Sequence, residues 1–219
     1  MWSEINLGGK LMSLPKTEIN AVLGDWKLVK NHCRVTDNKD FTDKEPSKEW
    51  CRKMVISNHS PIRSIIFDIT WRDMPYWVHA EIARHKFEKY VSSQRDDRLV
   101  DDIPRAKKPQ DAPVRFDAQL NIQNALDLAR KRLCFCATPE ARSYVVSLKF
   151  TLKDAGYEEV ADAMVPNCVF QCGCPEGFNK TCKFFETFAR IANDRYVNLL
   201  DIQQRYDLYN ELLEKAERP

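Results

Sequence analysis

SPIRSIIFDITWRDMPYWVHAEIARHKFEKYVSSQR, residues 60–95, carries the strongest pattern in the chain. Between Ser64 and Arg72, the residues Ile65, Phe67, Ile69 and Trp71 alternate with Ile66, Asp68, Thr70 and Arg72. A period of two predicts a strand with one buried face, and Ile66 is the apolar exception on the other. Pro75 suits the first turn of a helix, where its missing N–H is not needed. Beyond it Ala80, Ala83, Phe87 and Val91 fall at helical spacing and predict an apolar stripe. Glu81, Arg84 and His85, three and four residues apart, share a neighbouring face. Ser92, Ser93, Gln94 and Arg95 follow as donors. A guanidinium fork, an imidazole and hydroxyls at one helix end suit a phosphate-bearing ligand. The same residues also describe a solvated face with ion pairs such as Glu81 to Arg84, the reading that composition alone favours.

Working outward, 219 residues suffice for one well-buried domain, or one with a small appendage. A hydrophobic content of 43% with 30% charged residues describes a soluble globular protein. The formal charge of +2 gives no reason to expect nucleic-acid binding. No run of about 18 apolar residues predicts a membrane span. The first residues lack the apolar core of a signal peptide, which predicts a cytoplasmic protein. Eight cysteines without an export signal predict thiols or metal ligands rather than disulfides.

Residues 1–23 have no firm period and predict an N-terminal arm, with one domain over 24–219. Residues 26–35 read as a strand, 36–45 as a polar turn and 46–57 as a short helix with Ser47 near its start. Residues 96–115 hold Pro104, Pro109 and Pro113, which exclude a helix of useful length. Residues 116–135 predict a helix with Ile122, Ala125, Leu126, Ala129 and Leu133 on its core stripe. Asn121 and Arg132 lie three helical turns apart, so a ligand lying along that helix could touch both. Equally, Asn121 is an early-turn residue and Arg132 a C-terminal dipole partner. Thr138-Pro139-Glu140 opens a helix that carries Val145, Leu148 and Leu152 inward and stops near Gly156. A short helix over 158–164 follows. Residues 181–217 read as helical almost throughout, with a break at Asn193-Asp194.

Cys168, Cys172, Cys174 and Cys182 crowd one stretch of loop, with Cys134 and Cys136 upstream. Thiolates in tight loops are what a structural zinc or an iron–sulfur cluster needs, and Cys134, Cys168, Cys174 and Cys182 are the candidate ligands. The alternative is a set of reduced thiols buried under a loop.

His59-Ser60-Pro61, the aromatic-rich strand, Pro75, Arg84-His85-Lys86 and Ser93-Gln94-Arg95 together resemble the signature region of flavin-dependent thymidylate synthases. That signature is Arg-His-Arg, seven residues, then Ser, with an Arg two further on; here Lys86 replaces the last basic residue and the gap is one shorter. NIQNALDLARKRLC, residues 121–134, resembles the family's later nucleotide-contacting helix. The cysteine-rich part resembles a divergent, phage-like branch. The resemblance implies an α+β fold, a small, mostly antiparallel sheet packed by long helices, in a single domain assembled as a homotetramer. It implies FAD as cofactor, dUMP as substrate, methylene-tetrahydrofolate as carbon donor and NADPH as reductant, in a bacterial cell or a phage-infected host. No protein nucleophile is implied. Arg84, Ser93, Arg95 and Arg132 would hold the nucleotide, while His59, Ser60, His85 and Asn121 would contact flavin. Glu81, Asp127, Arg63 and Gln123 depart from the residues usual at their positions. A non-catalytic nucleotide-binding or assembly protein with a Cys-bound metal, or a one-carbon transfer to another pyrimidine nucleotide, are the competing readings.

Overall fold

Among the described residues four strands form one antiparallel sheet in the order β1-β2-β4-β3: β1 Thr17–Leu23, β2 Ile66–Pro75, β3 Glu88–Val91 and β4 Pro113–Asn121. The computed structural model describes residues 14–98, 103–176 and 181–217. The chain resolves into two compact units, one of residues 16–46 and 60–124, the other built from 47–59 and 125 onward. The α+β class expected from the sequence holds.

The sheet unit follows from period-two burial. Ile65, Phe67, Ile69 and Trp71 are fully buried, and on β4 Val114, Phe116, Ala118 and Leu120 are buried in turn. Each of these side chains larger than alanine contributes roughly 1.5–3 kcal/mol by leaving water. Trp71 stacks on Phe116 at 5.8 Å, and its indole N–H donates to Thr17 Oγ1 at 2.7 Å, which ties edge strand β1 to the core. Residues 17–23 are therefore sheet and not arm; residues 1–13 of the expected arm lie outside the described residues.

Three other expectations are corrected. Residues 26–35 form helix α1, Trp26–Thr36. Asp25 accepts the Leu28 N–H at 2.7 Å as its cap, and Gly24 turns the chain at φ +78°. A Cβ at Gly24 would stand 2.1 Å from the Ser64 carbonyl oxygen, so only glycine fits. The helix after Pro75 is short: α3 runs Tyr76–Ile82 and buries Val78 and Ile82, leaving Ala80 exposed. Phe87 and Val91 belong to the turn and strand that follow. Residues 116–121 are strand, and α4 begins only at Ile122, running Ile122–Arg132. The alternation Val114, Phe116, Ala118, Leu120 outranks the helical stripe that starts beyond it.

The helical unit centres on α5, Pro139–Asp154, which buries residues on every side, Val145, Leu148 and Leu152 among them. Around it stand α2 Lys48–Ile56, α6 Glu158–Ala163, α7 Asn167–Phe170, α8 Phe184–Asp194 and α9 Ile202–Glu217. Ser47 caps α2 as its position predicts. The expected break after Asn193-Asp194 separates α8 from α9. Two buried cations hold this unit. Arg205 donates to the carbonyls of Val169 (2.6 Å), Phe170 (3.1 Å) and Leu199, closing the end of α7. Lys149 donates to the carbonyls of Ala161 and Met164, closing the end of α6.

Candidate functional site

The turn after α3 and the start of α4 make the site, both in the sheet unit. A cavity of about 710 Å³ is lined there by Ala83, Arg84, His85, Lys86, Phe87, Glu88, Lys89, Gln119, Asn121, Asn124 and Ile66. Its size lies within the range of small-molecule pockets.

Local chemistry fixes both walls. Asn121 closes β4 and caps α4: its Oδ1 accepts the Asn124 N–H at 2.9 Å, while Asn124 Oδ1 accepts the Asn121 N–H at 3.2 Å. This is a reciprocal cap with the spacing of a capping box. Asn124 Nδ2 also donates to the Lys86 carbonyl at 2.7 Å. Lys89 Nζ donates to the carbonyls of His85 (2.9 Å) and Phe87 (3.2 Å) and lies 5.1 Å from the Phe87 ring centre. Three successive carbonyls of the basic turn are thus fastened, which holds Arg84, His85 and Lys86 at the cavity. The floor is polar: Gln119 Nε2 donates to Asp68 Oδ2 at 2.9 Å, and Asp68 Oδ1 accepts from Asn20 at 2.7 Å.

Farther along the sheet Asp117 pairs with Arg115 (2.8 and 2.9 Å) and accepts from Thr70 at 2.7 Å. Burial raises its carboxyl, but Arg115 and Thr70 outweigh burial and hold it below the usual range. His79 of α3 packs between Tyr76 and Phe116, 5.3 Å from each ring, and burial pulls its imidazole below the usual value.

Of the residues singled out in the sequence, Arg84, His85 and Asn121 line the one cavity. Ser60 starts the short 3₁₀ turn Ser60–Ser64 ahead of β2 and is exposed, away from the cavity lining. Ser93 Oγ accepts the Arg95 N–H, and Arg95 forms a two-pronged pair with Asp97, both contacts at 3.0 Å, in an exposed turn. His59 follows α2 and Arg132 ends α4, both in the helical unit. Asn124, Lys89, Phe87 and Gln119 were not foreseen. Asn121-x-x-Asn124 before an apolar run carries the capping-box spacing that would have flagged Asn124.

Among the described residues no group of three or more His, Cys, Asp and Glu is arranged to hold a metal ion, Cys134, Cys168, Cys174 and Cys182 included. None of the eight cysteines, all among the described residues, is in a disulfide. Residues 177–180 of the cysteine loop lie outside the described residues. Burial pushes the Cys168 thiol up to about 12, and burial also raises Cys134, Cys136 and Cys182.

No protein-family profile matches the sequence, and no curated protein matches it significantly. The fold defines an α+β protein with a cavity of small-molecule size on its sheet. Among solved structures it is similar to the flavin-dependent thymidylate synthase of Helicobacter pylori crystallised with FAD and dUMP, at TM-score 0.57 and 12% identity. The match covers 68% of this chain and 99% of that one. A second crystal structure of that enzyme with FAD and dUMP matches at TM-score 0.56 and 10% identity, with the same shares of each chain. At such identities the likeness is one of fold.

Proposed function

We infer that this protein is a flavin-dependent thymidylate synthase-like enzyme that binds dUMP and FAD and forms dTMP, with methylene-tetrahydrofolate as carbon donor and NADPH as reductant. The carrying observation is the fastened turn of Arg84, His85 and Lys86 meeting capping Asn121 in a single cavity, on a fold like that of an enzyme crystallised with both ligands.

The residues present fit an anionic aromatic ligand. Arg84 and Lys86 offer cations for a phosphate, Ile66 and Phe87 offer apolar surface for a ring, and Gln119 and Asn121 offer amides for its edge. The positive end of α4 lies at the same wall and favours negative charge. Bound flavin would supply the hydride; the protein supplies position and electrostatics. In this reading Arg84 holds the nucleotide phosphate, and His85 and Asn121 face flavin. Ser93, Arg95 and Arg132 join the nucleotide side, and Ser60 and His59 the flavin side, through the homotetramer that the reading implies.

Titration of the purified protein with FAD, followed by absorbance, tests the cofactor. Incubation with dUMP, methylene-tetrahydrofolate, NADPH and FAD tests the reaction, with dTMP expected. A colourless protein that takes up no flavin and makes no dTMP refutes the reading. One observation favours a repurposed nucleotide-binding protein instead: Arg95 is committed to Asp97 in an exposed turn. Binding of dUMP without flavin uptake is the outcome that would select it.

A further inference from the structure

Two amides of β4, Gln119 and Asn121, line the cavity at the basic turn, and each is fixed in orientation from behind. They stand two residues apart on the polar face of the strand, so their side chains leave it in the same direction. Gln119 Nε2 donates to Asp68 Oδ2 at 2.9 Å, and Asp68 Oδ1 accepts from Asn20 Nδ2 at 2.7 Å. A carboxylate only accepts, so the amide nitrogen of Gln119 faces Asp68 and its carbonyl oxygen is turned away. Asn121 is set the opposite way. Its Oδ1 accepts the Asn124 backbone N–H at 2.9 Å, a group that only donates, and this leaves its Nδ2 as the outward atom. Among the described residues Gln119 Oε1 accepts no hydrogen bond and Asn121 Nδ2 donates none.

One acceptor and one donor side by side define the ligand edge that satisfies both: an N–H next to a carbonyl or a bare ring nitrogen. A cyclic imide, with one N–H between two carbonyls, meets the pair with either face of its ring turned up. A cytosine edge meets it in one orientation only, its amine to Gln119 and its ring nitrogen to Asn121. A ring that lacks the N–H displaces water from Gln119 Oε1 without replacing the hydrogen bond. Sites built to bond an N–H reject analogues without it more strongly than apolar contacts can. Glu88, opposite Gln119 in the β3–β4 register, is another side-chain acceptor on the lining, and it is exposed.

Building on the nucleotide and flavin reading above, we propose that Gln119 Oε1 and Asn121 Nδ2 read the cyclic imide of the ligand, its N–H and one adjoining carbonyl. Asp68 is the positioning residue that keeps the Gln119 carbonyl aimed at that N–H. Uracil and the pyrimidine ring of isoalloxazine both carry this edge. Arg84 and Lys86 answer for the charge of the ligand, and the amide pair answers for its ring.

Calorimetric titration of the full-length protein with dUMP and with N3-methyl-dUMP, and separately with FAD and with FAD methylated at N3 of its isoalloxazine, tests this. N3-methylation should weaken one of the two ligands by at least about tenfold, and the ligand that suffers identifies the ring the pair holds. Gln119→Leu should weaken the parent ligand and leave the methylated one nearly unchanged, so the penalty is lost. Asp68→Asn gives Gln119 a partner that both donates and accepts, which frees its amide to turn. The penalty should shrink there too, an effect that a merely structural Asp68 would not produce. Glu88→Gln should keep the full penalty. A smaller penalty than this on both ligands in wild type overturns the proposal, as does one that survives Gln119→Leu or disappears in Glu88→Gln. Each of those results leaves binding of dUMP and FAD standing. Failure of the wild type to bind either ligand overturns the functional reading, and this proposal with it. The wild-type comparison needs no variant, so it decides even where a variant fails to fold.

Discussion

Replacing Asn124 with alanine removes the acceptor of the Asn121 N–H and the donor to the Lys86 carbonyl in one step. The bond in the other direction, from the Asn124 N–H to Asn121 Oδ1, uses backbone and survives. A net hydrogen bond contributes about 0.5–1.5 kcal/mol, and a lost helix cap about 1 kcal/mol. The Asn121 contact is half-buried and the Lys86 contact exposed, so the expected loss is about 1–2 kcal/mol. For a chain of this size that corresponds to a melting point lower by roughly 2–8 °C. Asn124→Asp separates the two roles. Its carboxylate still accepts the Asn121 N–H and places negative charge at the first turn of α4, a gain of about 0.3–1 kcal/mol. It cannot donate to the Lys86 carbonyl. Stability should therefore stay within about 0.5 kcal/mol of wild type, while the Arg84–Lys86 turn loses a fastening in both variants.

The assay pairs urea denaturation with dUMP titration by calorimetry. Asn124→Ala should lose both stability and affinity, and Asn124→Asp affinity alone. Equal destabilisation of the two variants, or an alanine variant as stable as wild type, refutes the reasoning about the cap. Unchanged dUMP affinity in both refutes the link between the cap and the turn.

Four further outcomes are expected. Arg84→Ala should weaken dUMP binding by at least tenfold, about 1.4 kcal/mol, with no change in melting point, since Arg84 is exposed. Arg205→Ala leaves three carbonyls without their donor in the helical unit and should cost about 3–5 kcal/mol in urea denaturation. Burial lowers Lys149 from 10.5 to about 7, so the unfolded chain holds that proton to higher pH than the native one, and stability rises with pH between those values. Lys149→Met removes the rise, and its stability gap from wild type should widen by about 2 kcal/mol between about pH 7 and pH 9 in urea titrations. Burial likewise holds His79 below 6.5; stability is present above that value and lost as pH falls through the native value, so His79→Phe should flatten the acid limb of the stability curve.

How much of this could be read from the residues alone depends on which interactions decide each segment. The strand of Ile65, Phe67, Ile69 and Trp71 was legible because side-chain burial on one face set it, and a period of two reports that directly. The helix start at Ser47 was legible because capping is local chemistry, and the one after Thr138 because Pro139 suits the first helical position. Residues 26–35 misled because WKLVKNHCRV satisfies both periods, and the deciding contacts are non-local. Gly24 must pass against the Ser64 carbonyl, and Asn31 bonds both backbone groups of Thr42 across the following loop. The same holds at the candidate site. Arg84, His85 and Asn121 could be named from their types and order, but the helix that was expected to carry the first two ends at Ile82. What replaces it is a turn fastened through its own carbonyls, by a lysine three residues beyond Lys86 and an asparagine at the start of α4. Side-chain identity announces a ligand's chemistry, whereas the fastening of backbone carbonyls announces itself only in three dimensions.

That distinction bears on what the altered signature means. A helix would present Arg84 and His85 on a surface set by its 3.6-residue period, and a one-residue change in the spacing to Ser93 would rotate the later residues off that surface. A turn ending in a strand imposes no such constraint. Here β3 begins at Glu88 and pairs Glu88 with Gln119 and Val91 with Phe116. The register with β4, not the count of residues, then fixes where the chain goes after the cavity. Ser92 continues that pairing, donating its N–H to the Arg115 carbonyl at 2.9 Å and accepting the Arg115 N–H on Oγ at 3.0 Å. A shortened gap is absorbed in the turn beyond β3, leaving Arg84, His85 and Asn121 in place. On this argument Lys86→Arg, which restores the usual third basic residue, should change dUMP affinity less than any loss of the Asn124 fastening. The opposite ranking in the same calorimetric titrations would mean that the side chains of the signature, and not the backbone beneath them, govern the site.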